Sequence, residues 1–261
     1  MTPPSDKNVT APTGQPGTVL ILGATSGIAR GIAQSLARRG FHLILAGRHQ
    51  DDVSRIGHDL TVRYEIRAST LRFDALDTAT HGEVVRQAVE IADGQLTGVV
   101  MAFGLLGDQE RAVREFSHAE DILRVNFLGA VSALTHVADH LEQRGGGFIV
   151  ALSSIAGDRG RKSNYTYGAA KAGLSAWLQG LRGRLHPAGV HVLTVKPGFV
   201  DTEMTYGRPG MFLVADPAVV GEQIVRAIER RKQVVYVPGF WRLIMLAIRM
   251  IPERVFRRLK F

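Results

Sequence analysis

The stretch TVLILGATSGIARGIAQSLARRG at residues 18–40 decides the fold. Its first part, TVLILG at 18–23, is an apolar run of strand length that ends at a glycine. Its second part, IARGIAQSLARRG at 28–40, spaces apolar residues along one face of a helix and also stops at a glycine. The segment therefore predicts a buried strand that turns, through a glycine-rich loop, directly into a helix.

The same alternation continues along the chain. Six further apolar runs are predicted to be strands, at 41–47, 69–73, 96–104, 147–154, 190–198 and 234–239. Helical patterns lie between them, at 50–63, 78–92, 117–143, 165–186 and 217–231. Strands that alternate with helices form a parallel sheet covered on both faces, and right-handed crossovers make it doubly wound. We therefore expect one α/β domain over residues 18–239, with a parallel seven-stranded sheet.

Composition narrows the function classes. The 261 residues include no cysteine, which excludes disulfides, thiolate nucleophiles and cysteine-bound metals. The formal charge is +8, but residues 240–261 hold six basic residues against one acidic residue. The basic character therefore belongs mainly to this tail, which argues against a nucleic-acid-binding domain.

The two ends of the chain bear on localisation. Residues 1–17 are rich in Pro, Thr and Gly, and they predict a disordered segment rather than a secretory signal. No run approaches the roughly 20 apolar residues of a membrane span. We expect a cytoplasmic protein, or one that is peripheral on the inner face of the cell membrane.

The loop GATSGIA at 23–29 is a candidate phosphate site. Glycines let the backbone turn tightly and approach a pyrophosphate, and the following helix offers N–H groups and the positive end of its dipole. The spacing matches a GxxxGx(G/A) variant of dinucleotide loops, with Ala29 in the last, small position. The cofactor contacts predicted here are Gly23, Thr25, Ser26, Gly27 and Ile28.

The residues after the second and third strands bear on the choice of cofactor. An acidic residue at the end of the second strand would bind the ribose of NAD, but Gly47 stands there and Arg48 follows it. A guanidinium at this position can pair with a 2′-phosphate, which favours NADP(H); a solvated arginine at a helix start is the alternative. Asp74 is predicted either to accept a hydrogen bond from the adenine amino group or to cap a turn.

Three side chains form the candidate catalytic group. Tyr167 and Lys171, in YGAAK, are four residues apart and hence on one face of a helix. A neighbouring ammonium stabilises phenolate, so we expect the pKa of Tyr167 to fall toward the range of a general acid–base. Ser154 ends the fifth strand, which places its hydroxyl at the carboxyl edge of the sheet, where ligands of such folds bind.

These motifs resemble the short-chain dehydrogenase/reductase family over residues 18–239. The matching segments are GATSGIA (23–29), VNFLG (125–129), LSSIAG (152–157), YGAAK (167–171) and KPGFVDT (196–202). The resemblance implies a Rossmann-type fold and NAD(P)H-dependent chemistry on C=O and CH–OH groups. Further cofactor contacts are implied at Gly104, Pro197, Gly198, Val200 and Thr202.

The resemblance also implies roles for the catalytic residues. Tyr167 would protonate the carbonyl oxygen, and Lys171 would lower its pKa and hold the nicotinamide ribose. Ser154 would orient the carbonyl, and Asn126 would support a proton-relaying water. One motif departs from the family: its usual NNAG is Met-Ala-Phe-Gly at 101–104, so we expect the central sheet to pack differently there.

A narrower resemblance is to the decaprenylphosphoryl-2-keto-erythro-pentose reductases, one branch of the family. The segments that carry it are AFGLLGD (102–108), FDALDT (73–78), the basic loop at 153–162 and the tail FWRLIMLAIRMIPERVFRRL (240–259). In that branch the reductase is half of an epimerase that supplies arabinose for cell-wall arabinan. The resemblance implies a polyprenyl-phosphate sugar as substrate, a flavin-dependent oxidase as partner, a homo-oligomer, and NAD(H) rather than NADP(H).

Three further segments leave alternatives open. Arg159, Arg161 and Lys162 are predicted either to bind the sugar's phosphate or to form a solvated basic loop. The basic amphipathic tail, 240–261, is predicted to bind an anionic membrane surface or to pack on a partner subunit. Residues 203–216 are predicted to form a lid over the substrate.

The chemistry also has alternatives. A spacing of four places His136 and His140 on one helix face, but a third ligand is not apparent, so no metal site is predicted. A reductase of another hydrophobic ketone or acyl substrate, and a non-catalytic dinucleotide-binding membrane scaffold, are the other functions consistent with the sequence.

Overall fold

Seven strands form one parallel sheet in the computed structural model, which describes residues 17–207 and 212–259. The strands are β1 (Thr18–Leu22), β2 (His42–Gly47), β3 (Ala68–Arg72), β4 (Leu96–Met101), β5 (Gly147–Leu152), β6 (Val190–Pro197) and β7 (Val234–Val237). Their order is β3-β2-β1-β4-β5-β6-β7, and all six pairings are parallel. The predicted doubly wound sheet is confirmed, and the strand order changes direction between β1 and β4.

Helices cover both faces of the sheet. They are α1 (Gly27–Ala37), α2 (Gln50–Tyr64), α3 (His81–Ile91), α4 (Gln109–Arg114), α5 (Phe116–Leu123), α6 (Gly129–Arg144), α7 (Tyr165–Leu185), α8 (Pro217–Glu229), α9 (Trp241–Met250) and α10 (Glu253–Phe256). One apolar core lies between the sheet and α1, α2 and α8, and the other lies between the sheet and α3, α6 and α7. Because both faces are covered, the central strands are mostly apolar; all five residues of β1 and all six of β4 are buried.

Two glycines bring α1 against α8 and so fix the N-terminus of α1. A Cβ on Gly31 would lie 2.2 Å from the carbonyl oxygen of Pro217, and one on Gly221 would lie 2.2 Å from the backbone of Gly31. The two helix backbones are therefore in direct contact. This packing holds the first turn of α1 at the carboxyl edge of the sheet.

The long helix predicted over 117–143 is interrupted. The structure has α5, then a π-helical segment at Arg124–Leu128, then α6. Helix α4 was not predicted; Asp108 caps it by accepting hydrogen bonds from the backbone N–H groups of Glu110 and Arg111. The apolar pattern continues across the π segment, so it does not reveal the extra residue in that turn.

The tail folds back on its own domain. Trp241 and Met245 are buried in a cluster with Ile155, which follows β5. Helix α9 ends at Met250, and Pro252, which cannot continue a helix, lies between α9 and α10. Within the described residues, no helix has both the length and the apolar character that a bilayer crossing requires. Except for Gly17, the segment predicted to be disordered at 1–17 lies outside the described residues.

Candidate active site

A cleft of about 830 Å³ opens where the loops after β1 to β6 converge. The carboxyl ends of parallel strands meet at this edge, beside the point where the strand order changes direction. The cleft wall includes every predicted cofactor contact: Gly23, Thr25, Ser26, Gly27, Ile28, Arg48, Asp74, Gly104, Pro197, Gly198, Val200 and Thr202. It also includes Ser154, Tyr167 and Lys171.

The loop after β1 is shaped to expose the N-terminus of α1. Gly23 has a φ of 82°, and a Cβ there would lie 2.7 Å from the backbone N of Phe103. A Cβ on Gly27 would lie 2.8 Å from the methyl group of Thr202. Side chains at these positions would close the cleft floor, which explains why glycine is needed. Ser26 caps α1 by accepting a hydrogen bond from the backbone N–H of Ala29, at 3.2 Å.

The far end of the cleft is bounded by the loops after β2 and β3. Arg48 is exposed there and lines the cleft with His49. The carboxylate of Asp74 accepts a hydrogen bond from the backbone N–H of Leu76, at 3.0 Å, so it caps its own turn. The cap uses one carboxylate oxygen, Oδ1.

The loop after β4 is braced by aromatic rings in place of the amides that the family usually has there. Phe103 packs against Phe73, with ring centroids 5.2 Å apart, and Phe73 stacks on His81 at 4.9 Å. His81 is fully buried; its Nε2 lies 2.9 Å from the carbonyl oxygen of Asp74, and its Nδ1 lies 3.0 Å from the hydroxyl of Ser132. The expected difference in packing is therefore an aromatic stack.

The predicted catalytic residues are held by β5, the turn after it and α7. Ser154 and Tyr167 are each 8% exposed and Lys171 is 2% exposed, so all three are sheltered from bulk water. The ammonium Nζ of Lys171 donates to the carbonyl oxygen of Leu152, at 2.9 Å, and lies 5.7 Å from the ring centroid of Tyr167. The backbone carbonyl of Lys171 accepts from the hydroxyl of Ser153, at 3.0 Å. Both ends of the lysine are thus fastened to the end of β5.

Burial shifts the pKa values of Tyr167 and Lys171 in opposite directions, and each shift favours the neutral form of the side chain. Burial raises the pKa of Tyr167 to about 12, against a hydrogen bond with Ser154 that lowers it. Burial lowers the pKa of Lys171 to about 7. The expected fall in the pKa of Tyr167 is therefore wrong for the chain by itself, because the cost of placing a phenolate in this site exceeds the stabilisation that its neighbours supply.

Asn126 lies behind the cleft rather than on its wall. It sits in the π-helical segment, is fully buried, and its amide nitrogen donates to the carbonyl oxygens of Leu105 and Ile122, at 2.6 and 2.8 Å. Its Oδ1 accepts from the backbone N–H of Leu105, at 3.2 Å, and would be 2.9 Å from a Cβ on Gly104. Asn126 thus fixes the loop that faces Tyr167 and Lys171. A single-turn π bulge is a frequent device at functional sites.

The basic loop lies away from the cleft wall. Arg159 donates to the C-terminal carbonyls of α9, Arg161 donates to the sulfur of Met245, and Lys162 is exposed. None of these three residues lines the cleft. The guanidinium of Arg159 is therefore engaged within its own chain.

The predicted lid borders the cleft over its first part. Thr202, Glu203, Met204 and Thr205 line the cleft, and the hydroxyl of Thr205 caps the turn by donating to the carbonyl oxygen of Val200 and accepting from the backbone N–H of Thr202. Residues 208–211 lie outside the described part of the chain.

The comparison with protein families agrees with this geometry. The family model described as short chain dehydrogenase matches residues 17–209. The chain belongs to this family. It is therefore an NAD(P)-dependent oxidoreductase, because the family model, the related oxidoreductases and the NADPH-bound structure all agree.

Relatives and solved structures place it within the family. An uncharacterized oxidoreductase of Mycobacterium tuberculosis is 39% identical over 241 residues, covering 92% of this chain and 96% of that protein. A short-chain dehydrogenase of Sphingobium yanoikuyae in complex with NADPH has a TM-score of 0.77 and 26% identity, covering 88% and 93% of the two chains. The actinorhodin polyketide ketoreductase with NADPH shares the fold, with a TM-score of 0.77, 22% identity, and coverage of 86% and 97%.

The cleft fits the dinucleotide that short-chain dehydrogenases use. A helix N-terminus with a glycine-lined approach suits a pyrophosphate, and the cleft runs from Arg48 at one end to Tyr167 at the other. The loop after β6, which contains Gly198 and Thr202, also lines the cleft. When bound, the reduced nicotinamide would supply a hydride at the Tyr167 end.

Proposed function

We propose that the chain is an NADP(H)-preferring reductase of a carbonyl group carried on an apolar substrate. The observation that carries the proposal is the convergence of Ser154, Tyr167 and Lys171 at one end of a cleft whose other end holds Arg48. A guanidinium suits a 2′-phosphate through charge-assisted hydrogen bonds. The two residues directly after β2, Arg48 and His49, are not acidic, so neither favours the free ribose hydroxyl.

The protonation states favour reduction at neutral pH. With a pKa raised to about 12 by burial, Tyr167 carries its proton at pH 7 and can donate it to a carbonyl oxygen as that oxygen gains negative charge. The hydroxyl of Ser154 stabilises the phenolate that remains. Lys171, held by Leu152, has a pKa of about 7, so about half of its amine is charged at pH 7 and supplies positive charge on the same side.

The cleft wall near Tyr167 supports an apolar substrate. Leu105, Leu106 and Met204 are apolar residues that line the cleft. Leu105 and Leu106 also pack against a small apolar cluster that contains Tyr167. A ketone or acyl chain would remove this surface from water, and each methylene group buried contributes about 0.8 kcal/mol.

The proposal is tested by oxidation of NADPH with a series of methyl ketones of increasing chain length. Each added methylene should raise kcat/KM about fourfold, until the cleft is filled. Tyr167→Phe should lower kcat by about 10²–10⁴-fold, because it removes the proton donor. Tyr165→Phe, an exposed tyrosine on the same helix, is the matched control and should keep its activity. Full turnover by Tyr167→Phe would exclude tyrosine as the acid.

A lipid-linked keto sugar is a second candidate substrate, and the tail helix is the observation that favours it. Leu243, Leu246 and Met250 are 71%, 55% and 75% exposed and form one stripe of α9, with Arg242 and Arg249 along its edge. Such a helix suits an anionic membrane surface, where a polyprenyl-phosphate substrate would reside. The guanidinium of Arg159 is occupied by its contacts with the tail. Lys162 is exposed, and it is the cation of the basic loop that would bind the substrate's phosphate.

Sedimentation with phosphatidylglycerol vesicles tests the membrane surface. The triple variant Leu243→Ser, Leu246→Ser, Met250→Ser should lose binding, whereas Val62→Ser, an equally exposed apolar residue on α2, should retain it. If both variants bind the vesicles equally well, the exposed stripe of α9 is not the membrane-binding surface. Turnover of decaprenylphosphoryl-2-keto-erythro-pentose with NADH and with NADPH tests the substrate. A flavin-dependent oxidase partner and a homo-oligomer remain predictions from the resemblance.

A further inference from the structure

The loop between Ser154 and Tyr167 is clamped by the C-terminal arm, which we define as residues 240–259. The guanidinium of Arg159 donates to the backbone carbonyl oxygens of Ile251, Arg249 and Ile248, at 2.8, 3.1 and 3.5 Å. These carbonyls lie at the C-terminus of α9, where the helix itself leaves acceptors unpaired and the dipole favours a cation. Arg159 therefore caps a helix that begins 82 residues further along the chain.

The same guanidinium also holds α10. It pairs with the carboxylate of Glu253 at 2.8 Å and lies 4.2 Å from the ring centroid of Phe256. The side chain of Arg159 is only 15% exposed. A planar fork with five donors can serve several acceptors and stack on a ring at once, which a lysine ammonium cannot do.

The arm packs beneath the active-site loops. Trp241 and Met245 pack on Ile155, the residue directly after Ser154. A Cβ on Gly198 would lie 1.9 Å from the indole nitrogen of Trp241, so the arm also supports the loop after β6. Both walls that flank the catalytic end of the cleft therefore rest on the arm.

The clamped loop sets the spacing of the catalytic group. A 3-10 turn, Ile155–Gly157, follows Ser154 and presses on α7. A Cβ on Gly157 would lie 2.8 Å from the carbonyl carbon of Lys171, and one on Gly168 would lie 2.9 Å from the carbonyl oxygen of Ala156. With so little space between the turn and the helix, a movement of the turn moves Ser154 relative to the helix that carries the acid.

The turn is fixed from a second side as well. The carboxylate of Asp158 is buried; it accepts from the hydroxyl of Tyr236 at 2.7 Å and pairs with Lys196. Asp158 thus ties the end of the turn to β6 and β7, and Arg159 ties the next residue to the arm. The two anchors act on consecutive residues.

We infer that Arg159 is a positioning residue, and that the C-terminal arm holds the loop between Ser154 and Tyr167 in its catalytic geometry. The inference rests on the proposed proton donation by Tyr167. The arm lies outside the cleft, so its effect passes through the turn at 155–157 and not through contact with substrate.

The test compares Arg159→Met with Arg159→Lys, using NADPH and the methyl ketone that gives the highest kcat/KM with the wild-type protein. Arg159→Met should lower kcat at least tenfold while KM for NADPH stays within twofold, since the phosphate loop is untouched. Arg159→Lys should restore part of kcat by returning the charge. Arg39→Met is the matched control, because Arg39 joins α1 to α8 through Glu222 and Glu229 and lies away from the cleft.

The outcomes separate the inference from the proposed function. Arg39→Met should lower the melting temperature by a similar amount with kcat unchanged. If Arg159→Met keeps kcat within twofold while Tyr167→Phe is inactive, the inference fails and the proposed function stands. If Arg159→Met does not fold, Phe256→Leu replaces the ring that stacks on Arg159 and keeps an apolar side chain at this buried position. In that case a kcat of Phe256→Leu unchanged from wild type would overturn the inference.

Discussion

Replacing Lys171 by methionine should make the folded chain more stable at pH 7 while removing the amine that we propose assists Tyr167. The side chain is 2% exposed, and burial lowers its pKa from 10.5 to about 7. Each pH unit of that difference is worth about 1.4 kcal/mol, so keeping this amine in the folded state costs about 5 kcal/mol. Methionine has a similar length and carries no charge to desolvate.

The gain is reduced by one lost hydrogen bond. The ammonium donates to the carbonyl oxygen of Leu152, and leaving that acceptor buried and unpaired costs about 1–3 kcal/mol. The net stabilisation is then about 2–4 kcal/mol. For a domain of this size, that corresponds to a rise in Tm of roughly 4–16 °C.

The pH dependence gives the decisive measurement. Between about pH 7 and 10.5 the unfolded lysine holds a proton that the folded lysine has lost, so wild-type stability rises with pH through this range. The advantage of Lys171→Met should therefore shrink toward pH 10. Thermal melts of both proteins at pH 7, 8.5 and 10 measure it, and Lys232→Met, on an exposed lysine, is the control that should change nothing. A variant less stable than wild type at pH 7, or an advantage undiminished at pH 10, would refute the reasoning.

Three further predictions concern Arg48 in the cleft, Gly198 beside Trp241 and the buried His81. Arg48→Ser should raise KM for NADPH by about 10–100-fold and leave KM for NADH nearly unchanged, in steady-state assays with each cofactor. Gly198→Ala should lower the free energy of unfolding by about 1–3 kcal/mol in urea melts, because its Cβ would lie 1.9 Å from the indole nitrogen of Trp241. Burial lowers the pKa of His81, so stability should fall as pH drops below about 6.5, and urea midpoints at pH 5.5 and 7.5 should differ less in His81→Gln.

Local patterns were sufficient to predict the sheet and much of the site. The central strands are short apolar runs because helices bury both faces, and GATSGIA marks the strand–helix junction without reference to distant residues. Tyr167 and Lys171 are placed on one face by helix geometry alone. Every residue predicted to contact the cofactor lines the same cleft, since the carboxyl ends of the strands must meet at one edge.

What the sequence did not predict depends on distant contacts. The π-helical segment around Asn126 leaves the apolar pattern intact, so one continuous helix was expected. The pKa of Tyr167 depends on how completely the fold buries it, and that burial reverses the shift expected from its spacing to Lys171. Arg159 looked like a free cation near the site mouth, because its partners lie 89 to 94 residues away.

The clamp on Arg159 has a consequence for how the protein is made. A ribosome at 5–20 residues per second needs about 4–19 s to travel from Arg159 to the acceptors at 248–253. All seven strands precede residue 240, so the nascent chain contains the whole sheet before the cap for α9 can form. We therefore expect the growing polypeptide to become an active reductase only after the tail has been synthesised and has bound Arg159.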